Sequence, residues 1–226
     1  MPTKWSVLLA VTLLFTLAGH AKSESDPATG IDTHYSRYFF APTAFPLQKG
    51  SGYIQTHWLA AWSANYGIAE RGSIGFSTTI FGQPFFLTPK FGVKMAEDWS
   101  TGGGMMLGYI DGSPLGIGYG LSTWGDAKRN LTIGLGWAFG GGEVEQSPLL
   151  SINAMRQFAP SWTMMFESWI LTQDPSDLHL LLYGVRWYRG GRNSLDLGFM
   201  IHREVLDSWN NSFSPGFPFV GWTFGF

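Results

Sequence analysis

The stretch "NLTIGLGWAFG", residues 130–140, decides how the rest of the chain is read. Leu131, Ile133, Leu135, Trp137 and Phe139 share one parity, and Thr132, Gly134, Gly136 and Ala138 share the other. Large apolar residues alternating with small ones have the period of a β-strand. The small side then tells which face is which. A soluble sandwich turns its bulky residues inward and sets charged or long polar residues outside. Here the opposite positions are glycine, alanine and threonine. That suits the inside of a narrow cylinder, with the bulky face turned toward lipid.

The same grammar recurs along the chain. "PLGIGYGLSTW" (114–124) sets Leu115, Ile117, Tyr119 and Leu121 against Gly116, Gly118, Gly120 and Ser122. "NSLDLGFMIH" (193–202) and the final "VGWTFGF" (220–226) behave alike. No segment carries a helical period. Strands are expected near 51–63, 71–82, 84–96, 98–110, 114–124, 129–140, 148–158, 161–172, 178–188, 193–203 and 216–226. Backbone groups in hydrocarbon find no water to bond, so a spanning sheet must close on itself. The expected fold class is therefore all-β, a closed antiparallel transmembrane barrel. "HYSRYFF" (34–40) is expected to be a further rising strand, giving about twelve. Ten is the alternative if 34–41 lies across the barrel mouth and one of the strand divisions above is wrong.

Composition narrows the functions. Only 13% of the 226 residues are charged, 16% are aromatic, and the net charge is −2. Nothing supplies the basic field that nucleic acid requires. Mean hydropathy is +0.03, far below that of a helical membrane protein. There is no cysteine, hence no thiol for an oxidising compartment to act on. Residues 1–21 read as a signal peptide, with Lys4 before the apolar "WSVLLAVTLLFTLAG" and Gly19 and Ala21 at the cleavage positions. Residues 22–33, including "KSESDPATGID", read as a disordered polar segment, and 34–226 as the barrel.

Exported barrels keep short turns on the periplasmic side and long loops outside. The connections "NYGIAERG", "MAEDW", "WGDAKR", "FAPS" and "RGGRN" then fall on the periplasmic side, and "REVLDSWNNSFSPG" outside. Trp62, Trp99, Trp124, Trp162, Trp187 and Phe226 all stand beside the periplasmic connections, as an aromatic girdle at a membrane interface requires.

The segments "RYFFAPTAFPLQKGSGYIQ", "NYGIAERGSIG" and "PFFLTPKFGVKMAEDWSTGGG", with the terminal aromatic strand, resemble a family of uncharacterised outer-membrane β-barrel proteins of Bacteroidota-type bacteria. The likeness covers most of the mature chain and is strongest over residues 37–104. It implies the bacterial outer membrane as location and outer-membrane lipid as surroundings. Phe226 also resembles the C-terminal signal read by the barrel-assembly machinery. No catalytic residue comes with the resemblance.

On the inward parity stand Gln55, His57, Lys90, Lys94, Ser151, Asn153, Gln157, Glu167, Arg186, Asp196 and His202. Charges at membrane depth pair or touch water. A lumen network is expected among Lys90, Lys94, Glu167, Arg186, Asp196, His202 and His57, with Lys90, Glu167, Arg186 and Asp196 at its centre. It serves either to hold the barrel interior or to line a narrow polar path. The leading function is a non-enzymatic outer-membrane barrel, a small-solute channel or a structural protein. Two rivals stand beside it. One is an outer-membrane lipid hydrolase or acyltransferase around His179, with Asp174, Ser176 and Asp177 in the adjoining turn. The other is a secreted soluble β-barrel binding an apolar ligand. His202, Glu204 and Asp207 near a loop read better as ordinary strand-end residues than as metal ligands. No cofactor is expected, and the oligomeric state is left open.

Overall fold

The computed structural model describes residues 35–110, 113–171, 179–189, 192–202 and 215–226. Fourteen strand segments form one sheet. They are β1 (Gly52–His57), β2 (Ala61–Ala69), β3 (Gly72–Thr79), β4 (Phe85–Leu87), β5 (Lys90–Ala96), β6 (Trp99–Ile110), β7 (Ser113–Gly125), β8 (Arg129–Gly140), β9 (Glu143–Val144), β10 (Leu149–Ala159), β11 (Trp162–Leu171), β12 (His179–Tyr188), β13 (Asn193–His202) and β14 (Phe217–Gly225). Segments β4 and β5 lie end to end between β3 and β6 and make one stave, and the two-residue β9 pairs the end of β8 on the side that β10 occupies. Every pairing is antiparallel, and β14 pairs β1, so twelve staves close into a barrel without a free edge. The seam is completed at its end by Gly52 and Phe226, whose backbones exchange hydrogen bonds of 2.9 and 2.8 Å.

Parity settles which face is out. On β8, Leu131, Ile133, Leu135 and Trp137 are 38–42% exposed, whereas Asn130 and Thr132 are 4% and 0% exposed. The bulky face is outside all round the cylinder, with Ile74, Phe76, Phe91, Met105, Leu107, Phe166, Val220 and Phe224 on it.

Two expectations about the first strands need correction, although the total of twelve stands. Residues 51–63 are not one descending strand. The chain rises through β1, turns at Trp58–Ala60 and descends through β2. Trp58 and Leu59 make that turn at φ 47° and 59°, the left-handed region that apolar residues seldom occupy. No glycine, asparagine or proline marks it, so the sequence reads straight through. The second correction concerns 34–41, which is neither a wall strand nor a cover over the mouth. From Tyr35 to Leu47 the chain lies inside the barrel, where Arg37, Phe39, Ala41, Ala44 and Leu47 have no exposed surface. It forms a lumenal hairpin, closed by Tyr38 N–H to Ala41 O (2.8 Å) and Thr43 N–H to Ser36 O (2.8 Å).

The staves define a short-turn end, with connections at 70–71, 97–98, 126–128, 160–161 and 189–192, and a long-loop end. The hairpin enters from the short-turn end, reaches its apex at Phe39–Ala41 and returns past Leu47 to β1. Its apex meets an apolar storey built from Phe86, Met106, Ile117, Leu149, Trp169, Leu180, Leu182 and Phe219. Phe219 packs edge-on against Phe39 and Phe40 at centroid distances of 5.0 and 5.1 Å. Several inward glycines make room for the hairpin: a Cβ at Gly67 would collide with the Gln48 carbonyl, and one at Gly92 with that of Ala44.

Candidate functional site

The chemistry of the lumen is organised around the hairpin. Inward parity on β12 and β13 brings Arg186 opposite Asp196. The guanidinium grips the carboxylate with two bonds, Nε to Oδ1 at 2.7 Å and Nη2 to Oδ2 at 2.9 Å. Arg186 also donates to the hairpin carbonyls of Arg37 (3.2 Å) and Tyr38 (2.8 Å). From the hairpin, Arg37 donates Nη1 to Asp196 Oδ2 (3.2 Å) and Nη2 to Thr223 Oγ1 (2.5 Å). Two cations therefore share one carboxylate, all three groups fully out of water. A charge this deep is tolerated only with partners on most of its polar atoms.

Further up the wall, Glu167 accepts the backbone N–H groups of Phe40 (2.8 Å) and Ala41 (3.0 Å) through Oε2, and the Trp169 indole N–H (2.7 Å) through Oε1. It caps the apex of the hairpin. Lys90 donates to the Phe45 carbonyl at 3.0 Å and lies 3.5 Å from that of Ser36. The Tyr38 hydroxyl lies 2.6 Å from Asn130 Oδ1 and 2.8 Å from Thr132 Oγ1, while Thr123 Oγ1 accepts from Ala44 N–H at 2.8 Å.

The four residues expected at the centre of the network are thus all buried in the lumen, yet only Arg186 and Asp196 touch each other. Lys90 and Glu167 reach the same hairpin instead of one another. Lys94, expected in the network, is exposed at the short-turn end, because its stave runs out of the lumen there. His202 is half-buried near the loop end with Nε2 lacking a partner. His57 is buried against the rings of Phe40 and Phe219 at 5.2 and 5.4 Å and joins no ion pair.

Arg37, the residue that ties the hairpin to the wall, was missed because "HYSRYFF" was read as a strand. A signal existed. Tyr38, Phe39 and Phe40 are three aromatics in a row, against the alternation of large and small that marks the long wall strands.

The aromatic residues divide. Trp99 stands opposite Trp124 in the ladder, and Trp162 stacks on Trp187 at 6.1 Å, all at the short-turn end with Phe226. Trp62 is at the opposite end, beside Trp58. The turn at Trp58–Ala60 reverses the chain before it, so its expected level was wrong. At the loop end His179 Nε2 lies 3.2 Å from Ser168 Oγ on the outward parity. The expected companions Asp174, Ser176 and Asp177 lie outside the described residues, as do Glu204, Asp207 and segments 1–21 and 22–33. Among the described residues no three His, Asp or Glu side chains come together as a metal site.

No family model matches the chain. No curated protein matches it either. Among solved structures, the NanC porin in a rhombohedral crystal form aligns with a TM-score of 0.47 at 8% identity, over 77% of this chain and 97% of that one.

Proposed function

We propose that this protein is an integral outer-membrane β-barrel that its own lumenal hairpin closes to ions, acting without catalysis as a structural barrel or a channel for very small solutes. The observation that carries this reading is the continuous apolar outer face of a closed cylinder. A soluble barrel holding an apolar ligand would turn that face inward. The Trp pairs at the short-turn end support that end as one membrane interface. The closing strand β14, with Phe224 exposed on its outer parity, continues the apolar face across the seam with β1.

The reading is tested by fractionating cells and following the band on gels with and without heating. The protein should leave with detergent-extracted outer membrane and migrate faster before boiling. Recovery in the soluble fraction would refute it. In planar bilayers the purified barrel should carry almost no ionic current, since Arg37 and Glu167 fasten the hairpin on two levels.

One observation favours a second reading. Ser168 and His179 form a hydroxyl–imidazole pair on the lipid-facing parity near the loop end, among Leu150, Ile152, Ile170 and Leu181. That pairs a potential nucleophile with a base, although Ser168 is only 5% exposed and its neighbours would have to part for an acyl ester to reach it. Replacing either by Ala would change the acyl pattern of outer-membrane lipid if this reading holds, and an unchanged pattern removes it.

A further inference from the structure

The hairpin fastens to only part of the wall. Facing β1, β2 and β3, it leaves polar side chains that are buried but bonded to nothing in the protein. Gln55 is fully buried, with neither its amide oxygen nor its amide nitrogen partnered. Ser63 and Ser77, 3% and 5% exposed, have unpartnered hydroxyls, and both ring nitrogens of His57 are unpartnered.

These groups are contiguous. In the ladder Gln55 is opposite Ser63, and Ser63 is opposite Ser77, so the three form one row across three staves. His57 is one inward step nearer the loop end. Tyr53, with Asn65 opposite it, is one step nearer the short-turn end. Successive inward steps on a strand are about 7 Å apart, a gap that a chain of two or three waters spans. At the loop end the row meets a narrow surface recess, no wider than a single water, lined by His57, Ala61, Trp62, Ser77, Thr78, Pro84 and Phe86. Toward the short-turn end it meets the returning arm of the hairpin, where the unpartnered Gln48 Oε1 lies on a half-exposed residue.

Buried amides, hydroxyls and imidazoles in folded proteins are satisfied by protein or by ordered water, and a buried water takes two to four such partners. Gln55, Ser63 and Ser77 offer that set in one row. The lining is uncharged, and the fixed charges nearest it, Arg37, Arg186 and Asp196, are already paired with one another. An ion stripped of its shell would gain little from neutral dipoles, and a cation would also meet Arg37, whose Cζ lies 5.6 Å from the Tyr53 ring centre.

We propose that the seam between the hairpin and the β1–β3 wall is a hydrated path that passes water along the barrel axis and excludes ions. The proposal rests on the outer-membrane reading above and adds the route and its selectivity.

The test uses the full-length mature protein in phospholipid vesicles. Insertion is first verified by heat-modifiable migration, so failure to insert counts against the membrane reading and not against the seam. Stopped-flow light scattering after an osmotic step should show water flux severalfold above protein-free vesicles, while planar bilayers stay silent. Flux equal to that of protein-free vesicles overturns the proposal, and so does ionic current that rises and falls with the water flux. Gln55→Leu combined with Ser63→Val should return the flux toward the lipid baseline, whereas Met164→Leu on the lipid face should leave it unchanged. If the double variant does not fold, X-ray hydroxyl-radical footprinting of the unaltered protein decides the matter. Tyr53 and Tyr38 are both fully buried, but only Tyr53 faces the seam. Oxidation of Tyr53 well above that of Tyr38 supports the path, and equal protection of the two overturns it.

Discussion

Two walls of the same cylinder treat the hairpin differently. The wall of β11, β12 and β13 presents Glu167, Arg186 and Asp196, each bonded to hairpin backbone or to Arg37. The wall of β1, β2 and β3 presents Gln55, Ser63 and Ser77, none of which bonds to it. Both walls obey one parity rule and both put polar groups inside. The difference is charge. A carboxylate or guanidinium far from water requires several partners at fixed positions, so the charged wall dictates where the hairpin sits. Neutral amides and hydroxyls can take water in place of protein, and Gln55, Ser63 and Ser77 do not fix the hairpin. Position is set on one side and permeability is left to the other.

The strongest way to break that contrast is to remove its keystone. Asp196→Ala leaves Arg37 and Arg186 side by side without their shared carboxylate, at a cost of about 3–5 kcal/mol for an uncompensated buried charge. The folded barrel should be lost at markedly lower urea, followed by heat-modifiable migration. An unchanged midpoint would mean that the hairpin is not held by this pair.

Next comes the apex. Glu167→Ala strands the N–H groups of Phe40 and Ala41 and the Trp169 indole, for about 2–3 kcal/mol. The barrel should still close, since the wall ladder does not depend on Glu167. With the apex loosened, planar bilayers should show brief ionic openings absent from the unaltered protein. Continued silence would show that Arg37 alone seals the lumen.

How much of this was legible in the chain follows from the kind of interaction involved. Strand parity was plain in 130–140, because one alternation satisfies both lipid and a crowded interior. The polar wall residues were legible for the same reason, since Lys90, Glu167, Arg186 and Asp196 fall on the small-residue parity. What they bond to was not. A hairpin held by backbone groups at Ser36, Phe40, Ala41 and Phe45 leaves no side-chain pattern, because every residue has the same N–H and C=O. The turn at Trp58–Leu59 was hidden too, its left-handed conformations being imposed by the ladders on either side.

Gly67→Val probes a place where the neutral wall touches the hairpin closely. Gly67 lies on β2, yet it touches the returning arm of the hairpin, and a side chain there would collide with the Gln48 carbonyl. Displacing that arm should cost about 1–3 kcal/mol, the usual range for overpacking. The loss should exceed that of a valine placed on the outer face of the same stave, for example at Ala64, and equal losses would mean that the arm has slack.

The smallest effect sharpens the comparison most. Ser63→Ala removes a hydroxyl that bonds to no protein group and adds no bulk. On the charged wall any such exchange strands a hairpin partner. On this wall it strands only water, so the unfolding free energy read from urea titration should change by less than about 1 kcal/mol. The water flux through vesicles should nevertheless fall, because Ser63 is the middle group of the row from Gln55 to Ser77. A large loss of stability would show that Ser63 is held by protein after all, and the two walls would then differ in degree and not in kind.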